Sequence, residues 1–172
     1  MKETTYVITL SRVFPAKHPR AGQPTNFRAA FNNAQMCAKC RKKALGMCAR
    51  ECVVGYLKNH TMRGNYDLWA KRFDKIERGE ACLSVRQWTG KPYASKQVEI
   101  MRLTREDGIG LQRLTFDFDE LNKPRINGSV LDPSAKDLAR NDGLSLQDWR
   151  DWFAHYDLSK PLAIIHFTSF RY

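Results

Sequence analysis

The run Lys58-Asn59-His60-Thr61-Met62-Arg63 places one hydroxyl among three groups that carry a proton or can accept one. A threonine hydroxyl is a poor nucleophile unless a base takes its proton. Lysine serves as that base only when burial or neighbouring cations depress its pKa. His60 and Arg63 are close in sequence, and Arg86 stands to approach in space, so the cationic condition can be met. The same residues also allow a plainer chemistry. Thr61 bonds a turn, while Lys58 and Arg63 contact phosphate or solvent.

A second set is made of thiols. Cys37-x-x-Cys40 is followed, after seven residues, by Cys48-x-x-x-Cys52. Two close cysteine pairs can supply the four soft ligands of a tetrahedral zinc site. The gap between the pairs is short for folding one back on the other, although Gly46 allows a turn. If residues 36 to 54 instead form one continuous helix, the four thiols share a stripe and pack as small hydrophobes. Arg41, Lys42, Lys43 and Arg50 would then form its wet face. Both alternatives stand, with redox sensing as a third.

A third set suits polyanions. Arg63, Arg86, Lys91 and Lys96 can neutralise phosphates. Trp88 and Tyr93, at the end of a strand-like run, can stack on a base, or Trp88 can belong to the core. His18 lies in a turn-rich basic loop with Arg12 and Arg20, which reads as solvated surface or as a phosphate contact.

These residues need elements to position them. Tyr66, Trp69, Phe73 and Ile76 recur at spacings of three and four, which predicts an amphipathic helix that Gly79 stops. Ala81 to Trp88 alternates and predicts a strand. Further strands are expected at Thr5 to Leu10, Val98 to Leu103, Leu111 to Phe116 and Leu162 to Phe170. Asp107-Gly108 predicts that the strands on either side of it pair antiparallel. Thr25 or Asn26 can cap a helix from Phe27 to about Asn33. Pro133 to Asn141 reads as a short helix, Asn122 to Gly128 as turns, and Asn141-Asp142-Gly143 as a turn. Ser145-Leu146-Gln147-Asp148 resembles a capping box opening a helix with Trp149, Trp152 and Phe153 at core spacing. Strands with short connections and few crossover helices argue for a small mixed β-barrel with flanking helices, an α+β class.

The chain has 172 residues, suited to one domain spanning 1–172, with the Cys-rich segment at about 34–56 as a helical insertion. Its net charge of +11 and a density of Lys and Arg over residues 39 to 105 favour a polyanionic partner. No run approaches the roughly 18 apolar residues of a membrane helix, so no membrane partner is expected. The start of the chain is too short and polar for a signal peptide, so a cytoplasmic location with reduced or metal-bound thiols is expected.

Lys58-x-x-Thr61-x-Arg63 resembles the Lys-x-x-Thr-x-Arg signature of ASCH domains, members of the PUA-like superfamily. The helix after it, Gly79 and the strand Leu83-Ser84-Val85-Arg86 sit where that family has them, and the resemblance covers roughly residues 57 to 170. It implies a PUA-like β-barrel. Some small ASCH proteins resemble N4-acetylcytidine amidohydrolases, with a threonine nucleophile, an activating lysine and a glutamate in proton transfer. The resemblance puts Lys58 and Thr61 in the first two roles. It puts Asp142, within Ala139-Arg140-Asn141-Asp142-Gly143-Leu144-Ser145-Leu146, at the glutamate position, one methylene shorter.

The expectation is a basic polar cleft lined by Lys58, Thr61, Arg63, Arg86 and Asp142, binding RNA or a modified nucleoside. The alternative is an amidohydrolase of acylated nucleosides using Lys58, Thr61 and Asp142. A third reading is a zinc-stabilised interaction protein centred on Cys37, Cys40, Cys48 and Cys52. No cofactor is required by the first two, and structural zinc is the one left open.

Overall fold

The computed structural model describes residues 3–40, 56–117, 120–127 and 132–172. In chain order they form β1 (Thr4–Thr9), α1 (Phe27–Ala38), β2 (His60–Arg63), α2 (Tyr66–Glu77), β3 (Ala81–Trp88), β4 (Gln97–Leu103), β5 (Gly110–Phe116), β6 (Pro124–Ile126), α3 (Ala135–Asn141), α4 (Leu146–Phe153) and β7 (Leu162–His166). The result is a mixed α+β fold on two sheets, of order β1-β3-β4 and β2-β7-β5-β6. Among the described residues these strands do not close into one barrel.

β1 pairs parallel with β3, from Thr4 opposite Ala81 to Thr9 opposite Arg86. A parallel pair needs a long crossover, and here it carries α1, β2 and α2. All other strand pairs are antiparallel. β7 is buried along its whole length at the centre of the second sheet. That accounts for its unbroken apolar run Leu162 to Ile165. α2 packs against both sheets through Trp69, Phe73 and Ile76. Burying each such side chain contributes roughly 1.5–3 kcal/mol. Ile8, Val85 and Leu103 of one sheet share a core with Leu114, Ile164 and Ile165 of the other. Arg63 adds a polar tie by donating from Nη2 to the Thr9 carbonyl at 2.7 Å.

Several expectations need correction. The strands flanking Asp107-Gly108 do not pair with each other, because β4 and β5 belong to different sheets. Residues Arg105–Asp107 form a short 3₁₀ turn, with Asp107 accepting from the Thr104 amide at 2.9 Å and Gly108 at φ 73°. That longer corner carries the chain from one sheet to the other. Within the stretch Asn122 to Gly128, expected as turn-rich, Pro124–Ile126 adds an edge strand to β5. Its proline opens the strand, where a missing N–H is tolerated.

α1 runs past Asn33 to Ala38, because Ala30, Phe31, Ala34 and Gln35 continue its buried face. Gln35 also donates to the Phe167 carbonyl at 2.8 Å. The last strand stops at His166, not Phe170. The segment 60–63, expected only as a polar lead-in to a helix, is itself a strand, because β7 pairs with it. No helix among the described residues is long and apolar enough to cross a membrane.

Candidate functional site

Two backbone bonds fix Lys58 before β2 begins. Its amide donates to Ala30 of α1 at 3.0 Å, and the next amide, Asn59, donates to Asn141 at 2.8 Å. Lys58 and Asp142 thereby form an isolated antiparallel bridge. Asp142 caps the C-terminus of α3, and Gly143 follows at φ 77°. A Cβ on Gly143 would lie 3.3 Å from the Lys58 Cβ, so glycine is needed both for the turn and for the close approach.

The side chains meet in the same place. Lys58 Nζ donates to Asp142 Oδ1 in a short ion pair and to the Asp142 carbonyl at 2.7 Å. It also lies 3.8 Å from the centre of the Phe27 ring. Both partners are buried, with Lys58 at 1% exposure. Burial pulls the Lys58 pKa below the ordinary lysine value, against the opposing pull of Asp142. Burial likewise pushes the Asp142 carboxyl up, against Lys58. Removal from water therefore drives both groups toward their neutral forms, and their mutual attraction, with Arg63 acting on Asp142, resists this.

Thr61 is buried on β2, opposite Ile165. Its hydroxyl makes no hydrogen bond to another described residue. Arg63, two residues on, is half-buried and held by the Thr9 carbonyl. Lys58, Thr61, Arg63 and Asp142 line one pocket of about 400 Å³. Trp88 and Tyr93 stand on it as well, with ring centres 5.3 Å apart and planes at 53°. Trp69, Trp152, Phe153 and Phe27 add to its aromatic wall.

Other expected residues lie elsewhere. Arg86 does not line the pocket; its Nε donates to Ser84 Oγ at 2.8 Å and its Nη2 sits 3.9 Å from Glu99. A bulge between Val85 and Arg86 changes its register against β4. Lys91 is exposed in the turn before Tyr93, outside the lining, and Lys96 is exposed beyond it. His18 is neither solvated surface nor a phosphate ligand. It is buried, stacked on Phe14 at 4.4 Å, and its Nε2 lies 3.1 Å from the Asp148 carbonyl. Arg20 is drawn to the Asp148 carboxylate at 2.7 Å.

Cys37 is half-buried in the last turn of α1, and Cys40 lies beyond its last residue, Ala38. One continuous helix over 36 to 54 is thus ruled out, since α1 ends inside that span. Ala34 and Gln35, at the start of the expected insertion, are buried residues of α1. Cys48 and Cys52 lie outside the described residues. Among the described residues no group of three or more His, Cys, Asp or Glu is placed to hold a metal.

Sequence reasoning missed Phe27, Trp69, Trp152 and Phe153 as pocket residues. All four fall on predicted helices, and nothing in a helical period tells a core position from a pocket wall. No family model, curated protein or solved structure matches this chain.

Proposed function

We propose that this pocket binds a modified nucleoside, with RNA as its source. The observation that carries the reading is the meeting of aromatic faces with a buried Lys58–Asp142 pair and an unpartnered Thr61 hydroxyl in one cavity. Trp88 and Tyr93 supply stacking surfaces, each of which contributes about 1–3 kcal/mol when a base lies on it. Thr61 and the Lys58–Asp142 pair supply hydrogen bonds to a base edge or ribose, and Arg63 supplies positive charge. The net charge of +11 fits a polyanion. The resemblance of Lys58-x-x-Thr61-x-Arg63 to the ASCH signature supports the same reading and an ASCH-type, PUA-like relationship. Two sheets sharing a core and tied by Arg63 to Thr9 are compatible with an opened PUA-like barrel.

A catalytic reading has one specific observation in its favour. The Thr61 hydroxyl has no competing partner among the described residues, and burial lowers the pKa of the lysine lining the same pocket. Passing one proton from Lys58 to Asp142 gives a neutral amine and a neutral carboxylic acid. The amine then takes the Thr61 proton as Thr61 Oγ bonds the acetyl carbon. The carbon–nitrogen bond breaks, and Asp142 protonates the departing exocyclic nitrogen. Water hydrolyses the resulting ester, releasing acetate and restoring Thr61.

One experiment separates the two. Wild type and Thr61→Val are titrated with N4-acetylcytidine and cytidine, following tryptophan fluorescence, while acetate release is measured in parallel. Binding without acetate release, weakened by about tenfold in Thr61→Val and in Trp88→Ala, is the expected result. Release that vanishes in Thr61→Val would move the assignment to the amidohydrolase. Absence of both would reject the nucleoside reading.

A further inference from the structure

A second groove of about 450 Å³ adjoins the pocket. Phe27 lines both, Ser11 of the pocket precedes Arg12 of the groove, and Gln87 of the groove precedes Trp88 of the pocket. The first turn of α1, Asn26 to Ala29, forms one side. Asn26 makes no capping hydrogen bond and adopts φ 58°, and the Phe27 amide donates to Thr25 Oγ1 at 3.3 Å. Its first turn holds no acidic residue, and the amides of Arg28 and Ala29 have no partner among the described residues. Free amides at a helix start carry partial positive charge that favours an anion.

Two exposed guanidinium groups flank that start. Arg28 belongs to the turn itself, and Arg12 faces the groove with Nη1 bonded to the Thr89 carbonyl. Among the described residues no carboxylate lines the groove. An independent observation comes from the opposite wall. Gln87 on β3 is only 9% exposed, lines the groove, and its amide makes no hydrogen bond to any described residue. Its amide is not sealed in the core and is therefore open to a ligand in the groove.

We propose that this groove binds a phosphate ester joined to the nucleoside in the pocket, held by Arg12, Arg28, the α1 amides and the Gln87 amide. The proposal rests on the nucleoside reading above and sharpens it, because the preferred ligand becomes a nucleotide or a single-stranded oligonucleotide. The phosphate can be a terminal monoester or the diester to a flanking residue, and both present the same anionic oxygens to the same donors.

The test compares three probes on the whole chain: N4-acetylcytidine, its 5′-monophosphate, and a trinucleotide centred on the same base. The variants are Arg28→Glu and Gln87→Leu. Arg28→Glu places an acidic residue in a first helical turn, which favours the helix and guards against simple unfolding. The expected result is that one or both phosphorylated probes bind at least about tenfold tighter than the nucleoside, with the advantage lost in Arg28→Glu, reduced in Gln87→Leu and weakened by added salt. Nucleoside affinity stays the same in both variants. A gain for the monophosphate alone assigns a terminal phosphate, and a gain confined to the trinucleotide assigns a diester.

Equal affinity for all three probes would overturn the proposal and leave the pocket reading intact. So would an equal loss for all three in Arg28→Glu. If none of the probes binds, amide chemical shifts of residues 26–29 are followed with inorganic phosphate. An Arg28-dependent response would keep the anion groove while rejecting the nucleoside pocket, and no response would reject both.

Discussion

Lys58 and Asp142 act as one unit, because neither is tolerable alone where the fold puts it. A carboxylate left without its partner in that burial loses far more than the pair contributes. Lys58→Met is therefore expected to cost about 3–5 kcal/mol of folding stability. Adding Asp142→Leu should recover most of that loss, since two apolar groups leave no stranded charge. Chemical denaturation of the two variants checks this, and a double variant as unstable as the single one would contradict it. Thr61 differs. Its hydroxyl has no partner among the described residues, so Thr61→Val should change stability by less than about 1.5 kcal/mol, the net worth of an ordinary hydrogen bond, while weakening ligand binding. The signature residues were legible as types and spacing. Their burial was not, because it depends on α1 and on the turn after α3, both distant in sequence.

The site is assembled from ends of elements rather than from their middles. Asp142 ends α3, Lys58 precedes β2, Trp88 ends β3, and Phe27 opens α1. Termini are where the chain can bring polar groups inward without breaking a ladder or a helix. The turn at Gly143 matters most, since its positive φ disfavours a side chain and a Cβ there would crowd the Lys58 Cβ at 3.3 Å. Gly143→Ala is expected to cost about 1–3 kcal/mol from the left-handed backbone and to displace Lys58. Denaturation, with ligand titration beside it, reads both effects. Loss of stability with unchanged binding would show that the turn does not position the pair. The helices α2, α3 and α4 were legible from periodicity and capping residues. β2 and β6 were not, because strands of four and three residues owe their form to pairing with β7 and β5.

Across the whole molecule, the buried histidines link folding to pH. His60 and His166 face each other at 5.6 Å between ring centres, and both are fully buried. Neither ring nitrogen of His166 has a partner among the described residues. Burial lowers the His166 pKa to about 3, and burial, reinforced by His166 and Lys58, lowers that of His60. The unfolded chain takes up protons near the ordinary histidine value of about 6.5, while the folded chain refuses them. Stability is thus full above that value and falls as pH drops below it. His166 alone should cost about 2 kcal/mol by about pH 5, and His60 adds in the same direction. Thermal unfolding over this range should show a falling Tm. His166→Leu should flatten the slope without lowering Tm at neutral pH. An unchanged slope would mean that the fold opens His166 to water.

The order of residues by itself determined the α+β class, most helices, the strand Ala81–Trp88 and the identity of the groups with chemical potential. Those features follow from local rules: periodicity, capping and turn residues act over a few positions. Sheet partnership was decided only by tertiary packing, as when β4 and β5, adjacent in the chain, separated into different sheets. The membership of the pocket was decided in the same way. Lys58 and Asp142 are 84 positions apart, and what joins them is a backbone bridge and the burial that packing imposes. Arg86 shows the converse. Its sequence position next to Trp88 promised the pocket, but a bulge and its contacts with Ser84 and Glu99 hold it elsewhere. Long-range contacts depend on the sum of many burial and pairing energies, and no short stretch of chain contains that sum.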